Sequence, residues 1–297
     1  MAASLPNQTD SHESWNITEA LGAVGDPIIV VSFPRSGTHL TIDLLRKHVK
    51  ECRTWKHFGE RLDHLYQPLE GLKDKPRQHP PQAVIERLQR PQCPILKTHS
   101  TPAFQPWLGR YQPWIDWIRS EGKFVYVYRD GREALCSLYT GRFGMFENTE
   151  DMSFSEFLRM DWEGMNMAAW WASHVEQWLA VDHVAPVQFK EIIQTPKQVI
   201  ERLTSTFNLT ADYREPLLPR PIRSRWHGRW IRLTSRCPES TALVPGRYRQ
   251  IKTPKWTDTF SADDRLFFHR EAGQTLIRFD MEASDDWVNT GYSVKFH

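Results

Sequence analysis

The segment Phe33-Pro34-Arg35-Ser36-Gly37-Thr38-His39-Leu40 gathers a guanidinium and two hydroxyls around a glycine, directly after the apolar run 28–31. That run is β-branched and too short for a helix, whereas Leu40, Leu44, Leu45 and Val49 recur at helical spacing. The segment therefore reads as strand, loop and helix. Gly37 permits a close backbone approach, and the first N–H groups of a helix have no partners within it. With Arg35, Ser36 and Thr38 as added donors, the loop is a cradle for a phosphate-like anion. The kinase signature G-x-x-x-x-G-K-[ST] fits worse, because it needs a lysine directly before the metal-binding hydroxyl and Gly37 stands there.

A second cluster follows the short strand expected over 94–97. Lys97 and His99, two apart at its exit, project to one side above the sheet edge where α/β proteins bind ligands. Read alone, they are equally a strand end carrying two polar residues. A third strand, 123–128, is almost wholly apolar, as in a buried parallel sheet, and opens onto Arg129-Asp130-Gly131-Arg132-Glu133 and a helix through Tyr139.

Together these segments resemble the cytosolic-type sulfotransferases that use 3′-phosphoadenosine 5′-phosphosulfate. Their phosphosulfate loop reads Tyr-Pro-Lys-Ser-Gly-Thr-Thr-Trp where this chain has Phe33 to Leu40. Their Lys-Thr-His-Leu-Pro matches Lys97-Thr98-His99, with Ser100-Thr101-Pro102 following. Arg129 and Ser137 stand at the spacing of the family's 3′-phosphate segment, and Trp171, His174-Val175 and Trp178 echo its long tryptophan-rich helix. The stretch 246–260 resembles the fourth motif through Arg249, Trp256 and Phe260. Gln250 and Ile251 depart from that motif, and Arg247 competes with Arg249 for the register.

The resemblance implies a single α/β domain, a central parallel sheet flanked by helices, with a P-loop-like phosphosulfate-binding loop. It implies transfer of a sulfuryl group to a hydroxyl or amine of a small-molecule acceptor. His99, Arg35 and Lys97 would be catalytic: a base, a cation at the leaving phosphate, and a cation on the sulfuryl oxygens. Arg35, Ser36, Gly37, Thr38, His39, Arg129, Ser137, Phe189 and Arg249 would hold the nucleotide, with no metal. Leu40 replaces the adenine-stacking Trp and Phe189 a Tyr. A P-loop nucleotide or small-molecule kinase, or a non-catalytic nucleotide-binding module, is the alternative. A non-catalytic module has no reason to keep Lys97 and His99.

The remaining elements position these groups. The 297 residues suffice for a sizeable core, and no linker divides them. The expected organisation is a tail over 1–24 and a domain over 25–297. Residues 51–81 read as loop with short turns, and His57, His64 and His79 there as solvated residues in place of metal ligands. Val84, Ile85 and Leu88 make a short helical face, and Trp107, Trp114, Ile115, Trp117 and Ile118 a longer one ending at Gly122. Ser153 with Glu156, and Ser261 with Asp264, cap two further helices; the first is expected to run to about Trp162. Residues 184–189 read as a fourth strand, and Thr195-Pro196 opens another helix. His174 reads as a packed or capping histidine.

The stretch 219–236 carries Arg220, Arg223, Arg225, Arg229, Arg232 and Arg236 around Trp226 and Trp230. In a chain of net charge +2 it reads as a lid over an anionic ligand or as a solvated loop. Neither nucleic acid nor a membrane is expected as a partner, and a homodimer is left open. Cys52, Cys93, Cys136 and Cys237 form no C-x-x-C pair and read as buried free thiols. With no signal peptide at the start, a cytoplasmic setting is expected.

Overall fold

The computed structural model describes residues 16–70, 81–104, 112–141, 146, 151–220, 222, 224–241 and 255–289. Its centre is a parallel five-stranded sheet in the order β2-β3-β1-β4-β7, from β1 (Ile28–Ser32), β2 (Gln67–Pro68), β3 (Ile95–Thr98), β4 (Lys123–Tyr128) and β7 (Val184–Gln188). A short antiparallel pair, β5 (Asp161–Trp162) and β6 (Met165–Asn166), lies apart from it. The chain goes to one side of β1 for β2 and β3, and to the other for β4 and β7. Such a reversal opens a crevice above the carboxyl end of the central strand.

Register makes that crevice specific. Val31 lies opposite Thr98 in β3 and Ser32 opposite Val127 in β4. The loop after β1, His99 and Arg129 therefore leave the sheet along one edge.

Strand alternation feeds two cores. Ile29 and Val31 join Leu96, Tyr126 and the apolar faces of α1 (Ile17–Gly22), α3 (Pro81–Leu88) and α4 (Gln112–Glu121). Ile28 and Val30 join Val125, Val187 and residues of α2 (Thr38–His48) and α9 (Pro196–Phe207). A third, aromatic cluster begins at Phe33 and takes in α5 (Gly131–Thr140), α6 (Phe154–Arg159), α7 (Met167–Leu179) and α11 (Ala262–Arg278). Trp114, Trp171 and Trp178 are fully buried, so much of the tryptophan load is core.

Several local expectations change. Within the stretch read as a tail, Asn16 caps α1 by accepting from the N–H groups of Thr18 and Glu19, and Leu21 is buried. The Ser153 capping box forms, but its helix ends at Arg159 and the chain turns into β5. Phe189 opens α8 (Phe189–Gln194) and is not the last residue of the strand. The basic stretch forms a helix, α10 (Arg225–Thr234), and is not an irregular loop. Pairing along two residues adds β2, too short to leave a periodic signal. Cys237 is exposed, unlike the other three cysteines. Trp107 lies outside the described residues.

Gly131 opens α5 beneath the aromatic cluster, and a Cβ there would stand 2.4 Å from the Trp171 ring. The gain in helix propensity from Gly131→Ala is at most about 1 kcal/mol, against an overpacking cost of about 1–3 kcal/mol. Thermal denaturation of G131A is expected to show a lower Tm. The double variant G131A/W171L, which removes the clashing ring, is expected to lose less than the two single losses summed.

Candidate active site

The loop leaving β1 is built by strain at two positions. Arg35 has φ +71° and Gly37 φ +109°. A Cβ on Gly37 would stand 2.4 Å from the Phe189 ring, so glycine is required there by space as well as by conformation. The Ser32 and Thr38 hydroxyls meet at 2.5 Å and clamp the base of the loop. Ser36 is fully buried, yet its Oγ has no hydrogen-bond partner among the described residues. A buried hydroxyl left so is costly unless a ligand satisfies it. Set beside the open N–H groups of the first turn of α2, it fits an anion in the cradle.

Residues from three other elements converge on this loop. Arg35 Nε donates to Ser137 Oγ of α5 at 3.1 Å. Arg129 donates to the Arg35 carbonyl at 3.3 Å, pairs with Glu133 at 2.9 Å, and lies 4.7 Å over the Phe189 ring. Phe189 thus touches both Gly37 and the Arg129 guanidinium. His39 packs edge-on against Tyr66 at 5.5 Å and lies 3.4 Å from the Thr241 hydroxyl. Leu40 packs into the core shared with α2 and α9.

His99 is held at each of its polar backbone groups and at one ring nitrogen. Its N–H donates to Glu70 Oε1 at 2.5 Å, and the Thr98 hydroxyl donates to the same oxygen at 2.8 Å. Its carbonyl accepts from His174 Nε2 at 3.1 Å, while the next carbonyl, of Ser100, accepts from Trp178 Nε1 at 2.8 Å. His99 Nδ1 lies 2.7 Å from the Ser32 carbonyl, and a carbonyl only accepts, so Nδ1 carries the proton. The lone pair is left on Nε2. By the same logic His174 is protonated at Nε2 and accepts from the Tyr126 hydroxyl, 2.9 Å away, through Nδ1.

The field of the site keeps the imidazoles neutral. Burial first, then Lys97, hold His99 well below the ordinary imidazole value. His39 is lowered to about 3 by burial, Lys97 and Arg35. Lys97 itself is lowered by burial and supported by the carboxylate of Glu70. Arg35, His39, Lys97 and His99 thus share one electrostatic environment.

Two of the positioning groups had little or no signal in the sequence. Glu70 follows a two-residue strand that shows no period. His174 had a trace, as a polar residue in an aromatic helical stripe, which must find partners when buried. Arg249, Arg247 and most of the fourth motif lie outside the described residues. Among the described residues no cluster of histidine, cysteine or carboxylate groups suits a metal ion.

A parallel sheet with an anion cradle after its central strand, and basic groups converging on that cradle, defines an α/β protein with a P-loop-like loop. The family model described as the sulfotransferase domain matches residues 25–225, and the chain belongs to that family. Human (Homo sapiens) sulfotransferase 1E1 is 23% identical over 169 residues, 55% of this chain and 52% of that protein. The chain therefore matches about half the length of this relative. Mouse sulfotransferase SULT7A1, complexed with PAP, shares the fold with a TM-score of 0.52 at 16% identity, over 93% of this chain and 94% of that one. Retinol dehydratase, in a complex with retinol and PAP, does so at 0.51 and 14% identity, over 85% and 82%.

Three neutral histidines, His174 buried and His39 and His99 half-buried, make stability depend on acid. His39 and His174 have values of about 3 and about 4, and His99 is likewise depressed, so on acidification below 6.5 the unfolded chain takes up protons that the native one refuses. Asp43, raised to about 6 by burial, acts oppositely below that value. Near pH 5 these four groups leave a net uptake of about two protons on unfolding. Denaturant melts between pH 7 and 5 are expected to lose stability steadily, and His174→Gln to flatten that slope by about one proton. Stability rising on acidification would contradict the assignment.

Proposed function

We propose that this protein transfers a sulfuryl group from 3′-phosphoadenosine 5′-phosphosulfate to a hydroxyl or amine of a small-molecule acceptor, leaving adenosine 3′,5′-bisphosphate. One observation supports the reading most strongly: a neutral imidazole with its free nitrogen defined by the Ser32 carbonyl stands on the same sheet edge as the anion cradle. Family membership supports the choice of donor. A cytoplasmic setting and a homodimer belong to the same proposal. Among the described residues no helix is long and apolar enough to cross a membrane.

The chemistry needs little covalent help from the protein. The bond from sulfur to the bridging phosphate oxygen breaks and a bond from sulfur to the acceptor oxygen or nitrogen forms. The acceptor proton passes to His99 Nε2. Negative charge grows on the departing phosphate, where the cradle N–H groups and Arg35 stabilise it. A guanidinium stays charged, so Arg35 acts there by charge and hydrogen bonding and not as a proton donor. Lys97 neutralises the sulfuryl oxygens. Arg129 and Ser137 read the 3′-phosphate, which would exchange the Glu133 carboxylate on Arg129 for a doubly charged oxyanion. Phe189 offers a ring face beside the cradle for the base.

His99→Asn keeps size and a donor but lacks a base, and is expected to lower turnover by about 10²–10⁴-fold with nucleotide affinity nearly unchanged. Retention of most of the rate with saturating acceptor would remove His99 from the mechanism. Because His99 is depressed, its loss by protonation should appear only well below pH 6.5 in the rate profile, and a limb at 6.5 or above would argue against this base. Arg129→Ala should weaken adenosine 3′,5′-bisphosphate far more than adenosine 5′-phosphosulfate, as calorimetric titration of both would show. A product screen over phenols, alcohols, amines and sugars tests the acceptor class.

A further inference from the structure

Helix α10 is fastened on its inner side and apolar on its outer side. Ile231 packs on Leu62, Leu65 and Ile222, Lys56 Nζ donates to the Arg232 carbonyl at 2.5 Å, and Arg232 Nε donates to the Gly59 carbonyl at 2.9 Å. Outward, Trp226, Trp230 and Leu233 fall at i, i+4 and i+7, with 78%, 67% and 61% of their surface exposed. Arg229 stands 5.6 Å from the Trp226 ring, and Arg236 stands 5.0 Å over Phe58, itself 59% exposed. Among the described residues, burial explains none of these rings.

We propose that this face docks peripherally on an anionic phospholipid surface. Charge complementarity carries the choice of occupant. Residues 219–237 hold six arginines and no aspartate or glutamate. The carboxylates flanking it are already engaged, Glu239 by Lys47 at 3.1 Å, Glu60 by Arg90 at 2.8 Å and Asp63 by Arg61 at 2.6 Å. Tryptophan rings with guanidinium groups beside them match the headgroup layer, where the ring body enters the acyl boundary and the charge stays at the phosphates. Leu233 in the same stripe favours lipid over nucleic acid, since an aliphatic side chain neither stacks on a base nor pairs with a phosphate. The absence of a membrane-length helix among the described residues speaks to spanning and leaves surface attachment open. Two turns of helix give a weak and reversible attachment.

Sedimentation with vesicles tests this. The full chain is expected to pellet with vesicles of phosphatidylcholine and phosphatidylserine, not with phosphatidylcholine alone, and to be released by raised salt. W226A/W230A, in which only exposed rings change, should bind at least about tenfold more weakly with an unaltered Tm. R229A and R236A should each lose about fivefold. No pelleting with the anionic vesicles at low salt, or equal pelleting of W226A/W230A, would overturn the proposal. So would binding of a single-stranded oligonucleotide in place of vesicles. A loss of adenosine 3′,5′-bisphosphate affinity in W226A/W230A would assign the face to the nucleotide and overturn it too.

Discussion

The hydrogen bond from His99 Nδ1 to the Ser32 carbonyl, 2.7 Å long, ties the exit of β3 to the end of β1. It exists because the parallel register sets Val31 opposite Thr98, so the two chains leave the sheet side by side. One carbonyl then decides the tautomer and with it the position of the only basic nitrogen of the ring. Charging that ring would have to overcome both burial and the neighbouring Lys97. The site therefore holds a cation beside a neutral base without the two cancelling.

Support for this bond comes from residues outside the cradle. Glu70 collects the Thr98 hydroxyl and the His99 N–H on one oxygen, while its charge favours the protonated form of Lys97. From the opposite side α7 grips two successive carbonyls through His174 and Trp178. Each of these groups is polar and buried or half-buried, so each must have a partner, and the partners are the backbone of the site.

The anion loop is supported differently, through the far end of its own helix. Arg46, Lys47 and His48, in the last turn of α2, are buried and bond to the carbonyls of Pro238, Pro216 and Leu217. Arg46 and Lys47 suit a helix C-terminus as cations, and buried cations need acceptors, while burial disfavours the charged form of His48. The Thr241 N–H donates to Asp43 on the same helix. Pro216, Leu217, Pro238 and Thr241 are thereby strapped along α2, and Thr241 reaches His39 at the first turn.

Local chemistry determined the parts of this protein that depend on a few adjacent residues. The strand, glycine loop and helix around Gly37, the Lys97 and His99 pair, the buried run of β4, and the capping boxes at Ser153 and Ser261 are properties of short stretches and were legible in them. The family resemblance rests on the same stretches. What tertiary structure alone decided has no local signature. Strand order placed β1 between β3 and β4; β2 exists only because β3 pairs with it; α10 took shape where charge density alone suggested a loop or lid. The choice of nitrogen on His99, the engagement of Glu70 from 28 residues away in the chain, and the contact of Phe189 with Gly37 all depend on register between strands distant in sequence. Spacing along a chain reports which residues share a face. Which faces meet is decided only when the sheet closes, because that is when buried polar groups must find their partners.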